Sequence, residues 1–134
     1  MQELREDYID KVIDYAKQSE AKFRHAAICL DKRGQIVSYA TNSRKTHPLQ
    51  AEYAKRTGKE QKVSLHAEIA ALIRARDDIV TMVVARINKH GLLRNSKPCP
   101  ICCLALEEAN VEEIWFSTDK GFEKLADNER SKHL

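Results

Sequence analysis

Residues 80–117 read VTMVVARINKHGLLRNSKPCPICCLALEEANVEEIWFS, and this stretch decides the fold. It opens on Val80 to Ile87, rich in the β-branched residues that suit a strand. A basic loop follows, Asn88 to Lys97, with Gly91 inside it. Pro98 and Pro100 then precede an apolar-periodic run from Ile101 to Ala109. Proline suits a first helical turn, and Asn110 is a residue that can end a helix. Val111 to Ser117 is a second strand, carrying Ile114, Trp115 and Phe116. Strand, helix and strand in that order imply parallel pairing through a right-handed crossover.

Working outward, Leu4, Tyr8, Ile9, Val12, Ile13 and Ala16 recur at helical spacing with charges between them, which predicts an amphipathic helix on one face of a sheet. Ala26 to Leu30 and Gln35 to Ala40 flank a turn ending in Gly34 and predict a β-hairpin. Cys29, mid-strand, is expected to be a small buried residue. Thr41 to Val63 is a polar connection, within which Leu49 to Lys55 has the makings of a short helix ending near Gly58. A further helix is expected from an N-cap at Ser64 to about Arg76, because Ala67, Ala70, Ala71 and Leu72 favour helix. The tail from Gly121 is expected to be a short helix that frays. The whole predicts one domain over 1–134, an α/β fold built as a three-layer α/β/α sandwich around a mixed sheet.

Composition narrows the function classes. The 134 residues are 43% hydrophobic and 32% charged, which excludes a disordered chain. The formal net charge of +3, from 23 Lys+Arg against 20 Asp+Glu, is lighter than duplex-binding domains usually carry, yet compatible with an anionic substrate. No apolar run approaches the roughly 20 residues that span a bilayer. The start, MQELREDYID, lacks a basic segment followed by an apolar one, so no secretion signal is expected and a cytoplasmic location follows. Three of the four cysteines, Cys99, Cys102 and Cys103, crowd into one segment; disulfides need spread partners, so the crowding points to metal.

Two segments carry the chemistry: His66-Ala67-Glu68 and Pro98-Cys99-Pro100-Ile101-Cys102. Each lies at the start of a predicted helix. One imidazole and two thiolates suit zinc, and three protein ligands leave a position open, as catalytic rather than structural sites do. A helix N-terminus favours thiolate over thiol at Cys99 and Cys102. Zinc with an open position makes hydroxide available near neutral pH, and Glu68 is the group placed to move protons. Residues two apart on a helix diverge by roughly 200°, so His66 and Glu68 serve one site only if the helix tip faces it. Cys103, rotated by roughly 100° from Cys102, is expected in the core. His25, His47, His90 and His133 lack ligand-like neighbours and are expected to be surface or packing residues.

The paired motifs resemble the cytidine and deoxycytidylate deaminase superfamily, whose zinc deaminases carry this His-x-Glu and Pro-Cys-x-x-Cys combination. The likeness runs from the hairpin at Ala26 to the strand ending near Ser117, and the form looks most like short deoxycytidylate-deaminase-like proteins of viruses and phages. The resemblance implies zinc as cofactor, about five strands flanked by helices, and a homo-oligomer. It implies that the Ala67 backbone N–H meets the pyrimidine carbonyl, and that Asn42 contacts the substrate sugar or base. The chain departs from subfamily patterns in Ala40-Thr41-Asn42, where Gly-Tyr-Asn is common, in Ile101, where Met often stands, and in Asn95-Ser96-Lys97, where Ser-Trp-Ser marks single-strand DNA deaminases.

Three readings compete, two of them substrate classes. The first is a free cytosine nucleoside or nucleotide, dCMP foremost. Lys45, Thr46, His47, Arg94, Asn95 and Lys97 fall on loops predicted to flank the site, where basic and hydroxyl groups can hold a phosphate, with Arg94, four residues before Pro98, the foremost candidate and Lys45 beside it. The second is a base within single-stranded DNA or RNA, which needs a stacking surface; aromatics are only 6%, with Tyr53 and Trp115 the candidates. The third is a zinc-containing binding module without catalysis, against which the intact Glu68 argues.

Overall fold

The computed structural model describes residues 3–21, 23–43, 47–58, 66–75 and 79–126. Among these described residues ten elements follow in order: α1 (Glu6–Ala16), β1 (Arg24–Leu30), β2 (Ile36–Thr41), α2 (Pro48–Arg56), α3 (Ala67–Arg74), β3 (Thr81–Ile87), β4 (Leu93–Arg94), α4 (Pro100–Glu108), β5 (Glu113–Thr118) and β6 (Gly121–Lys124). The sheet runs β2-β1-β3-β5-β6, with β4 paired to β3. The β3–β5 pair is parallel and the others are antiparallel, so the sheet is mixed, as expected.

Alternation along the strands sorts the core into two layers. Ala26, Ile28 and Leu30 of β1, Val83, Ala85 and Ile87 of β3, and Trp115 of β5 face Tyr8, Val12 and Ala16 of α1. Ala27, Cys29, Met82, Val84, Ile114 and Phe116 face the opposite way, against Ala67, Ala70 and Ala71 of α3 and Cys103 and Leu106 of α4. The alanines of α3 let that helix come close to β1 and β2, and the Ser38 hydroxyl donates to the Ala71 carbonyl at 2.9 Å. A third cluster joins Tyr53 and Ala54 of α2 to Ile69 of α3 and to Ile101, Cys102 and Ala105 of α4.

Local chemistry accounts for most boundaries. Asp31 Oδ1 accepts the N–H groups of Arg33 and Gln35, and Gly34 takes the positive φ of 80° that closes the β1–β2 hairpin. The short helix expected at Leu49–Lys55 is α2, capped by His47, whose Nδ1 accepts the Leu49 N–H at 3.0 Å. Asn110 ends α4 in the left-handed conformation at φ 59°.

Three expectations need correction. Gly121–Lys124, where a helix was expected to begin, form β6, an edge strand antiparallel to β5; residues 127–134 lie outside the described residues. The Thr118 hydroxyl accepts the Lys120 N–H and donates to the Gly121 carbonyl, and this tight turn sends the chain straight back. The loop Asn88 to Lys97 contains β4, because Asn88 closes a turn onto Leu92 and returns Leu93 and Arg94 to β3. The helix expected from Ser64 begins instead at Ala67, with His66 in the capping position; Ser64 and Arg76 lie outside the described residues.

Candidate metal centre and pocket

Helices α3 and α4 start in the same way. His66 precedes α3 and Cys99 precedes α4, both in extended conformation. Their carbonyls accept the first helical bonds, from Ala70 and Cys103, each at 2.9 Å. Pro100 fixes φ in the first turn of α4 and has no N–H to leave orphaned. One turn on, Cys102 points back to the same place as Cys99. The result is a trio, His66, Cys99 and Cys102, whose ligand atoms all lie within 4.8 Å of one another.

The trio fits zinc on its own geometry. His66 Nδ1 is 3.3 Å from Cys102 Sγ and 3.6 Å from Cys99 Sγ. Zinc–sulfur bonds of about 2.3 Å and zinc–nitrogen bonds of about 2.0 Å at tetrahedral angles put nitrogen and sulfur about 3.5 Å apart. The charges agree. A hydrogen bond from Cys102 holds the Cys99 thiol down to about 4, opposed by burial and helped by His66. The same bond and complete burial push Cys102 far up. Two sulfurs this close do not both ionise without a cation between them, and zinc deprotonates coordinating thiols outright. The cluster is the zinc-binding site of the fold.

Beside it opens a pocket of about 270 Å³, lined by Phe23, His25, Asn42, Ser43, His66, Ala67, Glu68, Ser96, Lys97 and Cys99. Glu68, in the first turn of α3, is only 5% exposed. Burial raises its carboxyl above the ordinary value, with His66 opposing. The helix-tip arrangement needed for residues two apart is met because His66 stands outside the helix and Glu68 inside its first turn. Ala67 is the first helical residue, so no carbonyl of its own helix accepts its N–H.

The other expected residues fall as follows. Asn42 lines the pocket, but most of its amide is engaged. Its Oδ1 accepts from the Ser19 hydroxyl at 2.7 Å and the His25 N–H at 3.1 Å, and its Nδ2 donates to the Phe23 carbonyl at 2.6 Å. Two backbone groups thus fix which end is oxygen, and one Nδ2 hydrogen remains for a ligand. Arg94 is exposed on β4 and donates to its own neighbour, the Leu93 carbonyl; it does not line the pocket, whereas Lys97 does. Lys45 lies outside the described residues, as do Thr46 and His133. Cys103 is buried in the core and its thiol reaches the Pro98 carbonyl at 3.6 Å, behind the trio.

Tyr53 and Trp115 are both buried and neither lines the pocket. The aromatic at the pocket is Phe23, 52% exposed, with the Arg86 guanidinium 4.7 Å from its ring centre. Sequence reasoning missed Phe23, and it set His25 aside. Burial, opposed by the Phe23 carbonyl and reinforced by Arg86, holds the His25 imidazole below its ordinary value. Their only sequence signal is position, Phe23 at the end of the connector from α1 and His25 at the start of β1, where Asn42 bonds to the backbone of both.

Buried serines hold the approach to the motif. Ser96 Oγ donates to the Val84 carbonyl at 3.0 Å and accepts the Ser117 N–H at 2.7 Å. Ser117 Oγ donates to the Arg94 carbonyl at 2.7 Å and accepts the Arg86 N–H at 3.0 Å. The parallel β3–β5 ladder stops at Val84 and Phe116. Beyond that point these two hydroxyls replace strand bonds and wedge residues 94–96 between the diverging ends.

Comparison with known proteins agrees with this geometry. Among curated proteins none matches the chain. Among solved structures the chain is similar to the dCMP deaminase of the cyanophage S-TIM5 in its apo form, at 19% identity and a TM-score of 0.55, over 83% of this chain and 79% of that one. That likeness speaks for the fold. Among the described residues no helix is long and apolar enough to cross a membrane. Residues 2–118 match the family described as the cytidine and deoxycytidylate deaminase zinc-binding region, and the chain belongs to that family.

Proposed function

We propose that the chain hydrolyses the exocyclic amine of a cytosine nucleotide or nucleoside, with dCMP the foremost substrate. The observation that carries the reading is that a buried carboxyl, Glu68, lines one small pocket together with His66 and Cys99 of the zinc-binding trio. Its volume, about 270 Å³, lies at the small end of ligand sites, which suits a single nucleotide better than a continuous strand.

In this reading His66, Cys99 and Cys102 hold zinc. The metal supplies a nucleophile at neutral pH by lowering the pKa of water. Glu68 is the group that would move protons here, one transfer to the ring nitrogen and a second, separate one to the departing amine, with its carboxylate regenerated after each. Its raised pKa supports this, because a carboxyl that ionises nearer neutrality both accepts and returns a proton. The Ala67 N–H donates to the pyrimidine carbonyl. Asn42, with both oxygen lone pairs in use, meets the substrate only as a donor, through its spare Nδ2 hydrogen. Lys97 is the cation placed to attract a phosphate, and Arg94 and Lys45 are the reserve candidates. The reading also takes in self-association as a homo-oligomer, which the family resemblance implies.

The test is a panel of cytidine, deoxycytidine, dCMP and dCTP, followed by ammonia release. Turnover of dCMP above the rest supports the reading, and no turnover of any member contradicts it. A second reading, a base within a single strand, is favoured by the exposed ring of Phe23 under Arg86 at the pocket. Oligonucleotide binding that falls steeply with salt would support it.

A further inference from the structure

Gln50 lies on α2 with no exposed surface. Its Oε1 accepts the N–H of His66 at 3.1 Å, across sixteen residues of chain. Its Nε2 has no hydrogen-bond partner among the described residues. An apolar side chain of similar volume would fill the space without leaving a buried amide half paired. Packing therefore does not explain a glutamine here. What it adds is an acceptor, aimed at the backbone of a metal ligand.

That backbone matters because of which ring nitrogen faces the sulfurs. Nδ1 is bonded to Cγ and is the ring nitrogen nearer the main chain, and two side-chain torsions link the rigid ring to it. Any rotation of the His66 peptide carries Nδ1 with it.

Helix α2 also grips the other ligand-bearing helix. The Tyr53 hydroxyl donates to Glu108 Oε2 at 2.9 Å, and the Arg56 guanidinium pairs with the same carboxylate at the end of α4. Between these points Tyr53 and Ala54 pack on Ile69 of α3 and on Ile101, Cys102 and Ala105 of α4. One nine-residue helix thus touches the carriers of all three ligands.

We propose that α2 is the clamp that holds the metal trio in register, with Gln50 the positioning residue that sets His66. The proposal rests on the zinc reading of the trio and on nothing about the substrate.

The test compares the 134-residue chain with its Gln50→Leu, Gln50→Met and Gln50→Glu variants. Zinc affinity is measured by competition with a chromophoric chelator. Cobalt(II) is added as a spectroscopic substitute, and metal-free melting is recorded beside both. The Leu and Met variants, which lack the acceptor, are expected to lose roughly 10–100-fold in zinc affinity. Their cobalt absorption bands shift, while their metal-free melting stays near that of the parent. Gln50→Glu keeps an acceptor and restores affinity to within a few-fold. Parent-like zinc affinity and an unmoved cobalt spectrum in the Leu and Met variants would overturn the proposal. So would an affinity loss that merely tracks loss of metal-free folding in both. A parent protein that binds no zinc would refute the metal reading itself, a result distinct from either.

Discussion

Nδ1 of His66 stands 3.3 Å from Sγ of Cys102, although 36 residues separate them in sequence. The contact closes a loop that the two helix starts frame, so metal binding is coupled to folding. Saturating zinc at about 1,000 times its dissociation constant should stabilise the protein by about 4 kcal/mol. In Cys102→Ala that gain should nearly vanish. Urea unfolding with and without zinc measures it, and an equal gain in the variant would show that zinc binds elsewhere.

Glu68 is expected to matter for turnover and not for the metal. Glu68→Gln preserves shape and places no ligand at risk. Turnover should fall by about 10²- to 10⁴-fold, with zinc content unchanged. A variant as active as the parent would remove Glu68 from the mechanism and reopen the binding-module reading.

The cysteines should separate by reactivity in the metal-free protein. A thiol is thiolate above its pKa. Cys99, held at about 4, is thiolate at pH 6 and partly accessible. Cys29, pushed by burial to about 11, is a thiol throughout the neutral range and has no exposed surface. Iodoacetamide at pH 6, followed by mass spectrometry, should label Cys99 first and leave Cys29 untouched. Zinc should protect Cys99. Early labelling of Cys29 would contradict the buried core placement.

Ser117→Ala leaves the Arg86 N–H and the Arg94 carbonyl without their hydroxyl partner. The expected cost is about 1–3 kcal/mol, or about 3–5 °C in melting temperature per kcal/mol for a chain of this size. Calorimetry decides. A melting point unmoved by the substitution would mean that the wedge between β3 and β5 does not need the hydroxyl.

What was legible in the sequence was what local chemistry dictates. The β-branched run before Asn88 and the paired prolines around Cys99 fixed β3 and α4, and with β5 they fixed the parallel core of the sheet. The trio was legible because metal chemistry constrains residue type and spacing together. β6 was misread because Thr118 and Gly121 act as a turn, and turn chemistry outweighed weak helical composition. Phe23 and His25 carried no motif. They reach the pocket only because β1 lies between β2 and β3, a tertiary fact. Asn42 was matched by position, but that its oxygen is already occupied depends on Ser19 and His25 folding onto it.

The most direct measurement is metal content together with activity on the same sample. Purified under reducing conditions, the protein should carry about one zinc per chain. It should release ammonia from a cytosine substrate, stop when a chelator strips the metal, and recover when zinc returns. Protein that holds no zinc, and stays inert after zinc is supplied, would contradict the account at its base.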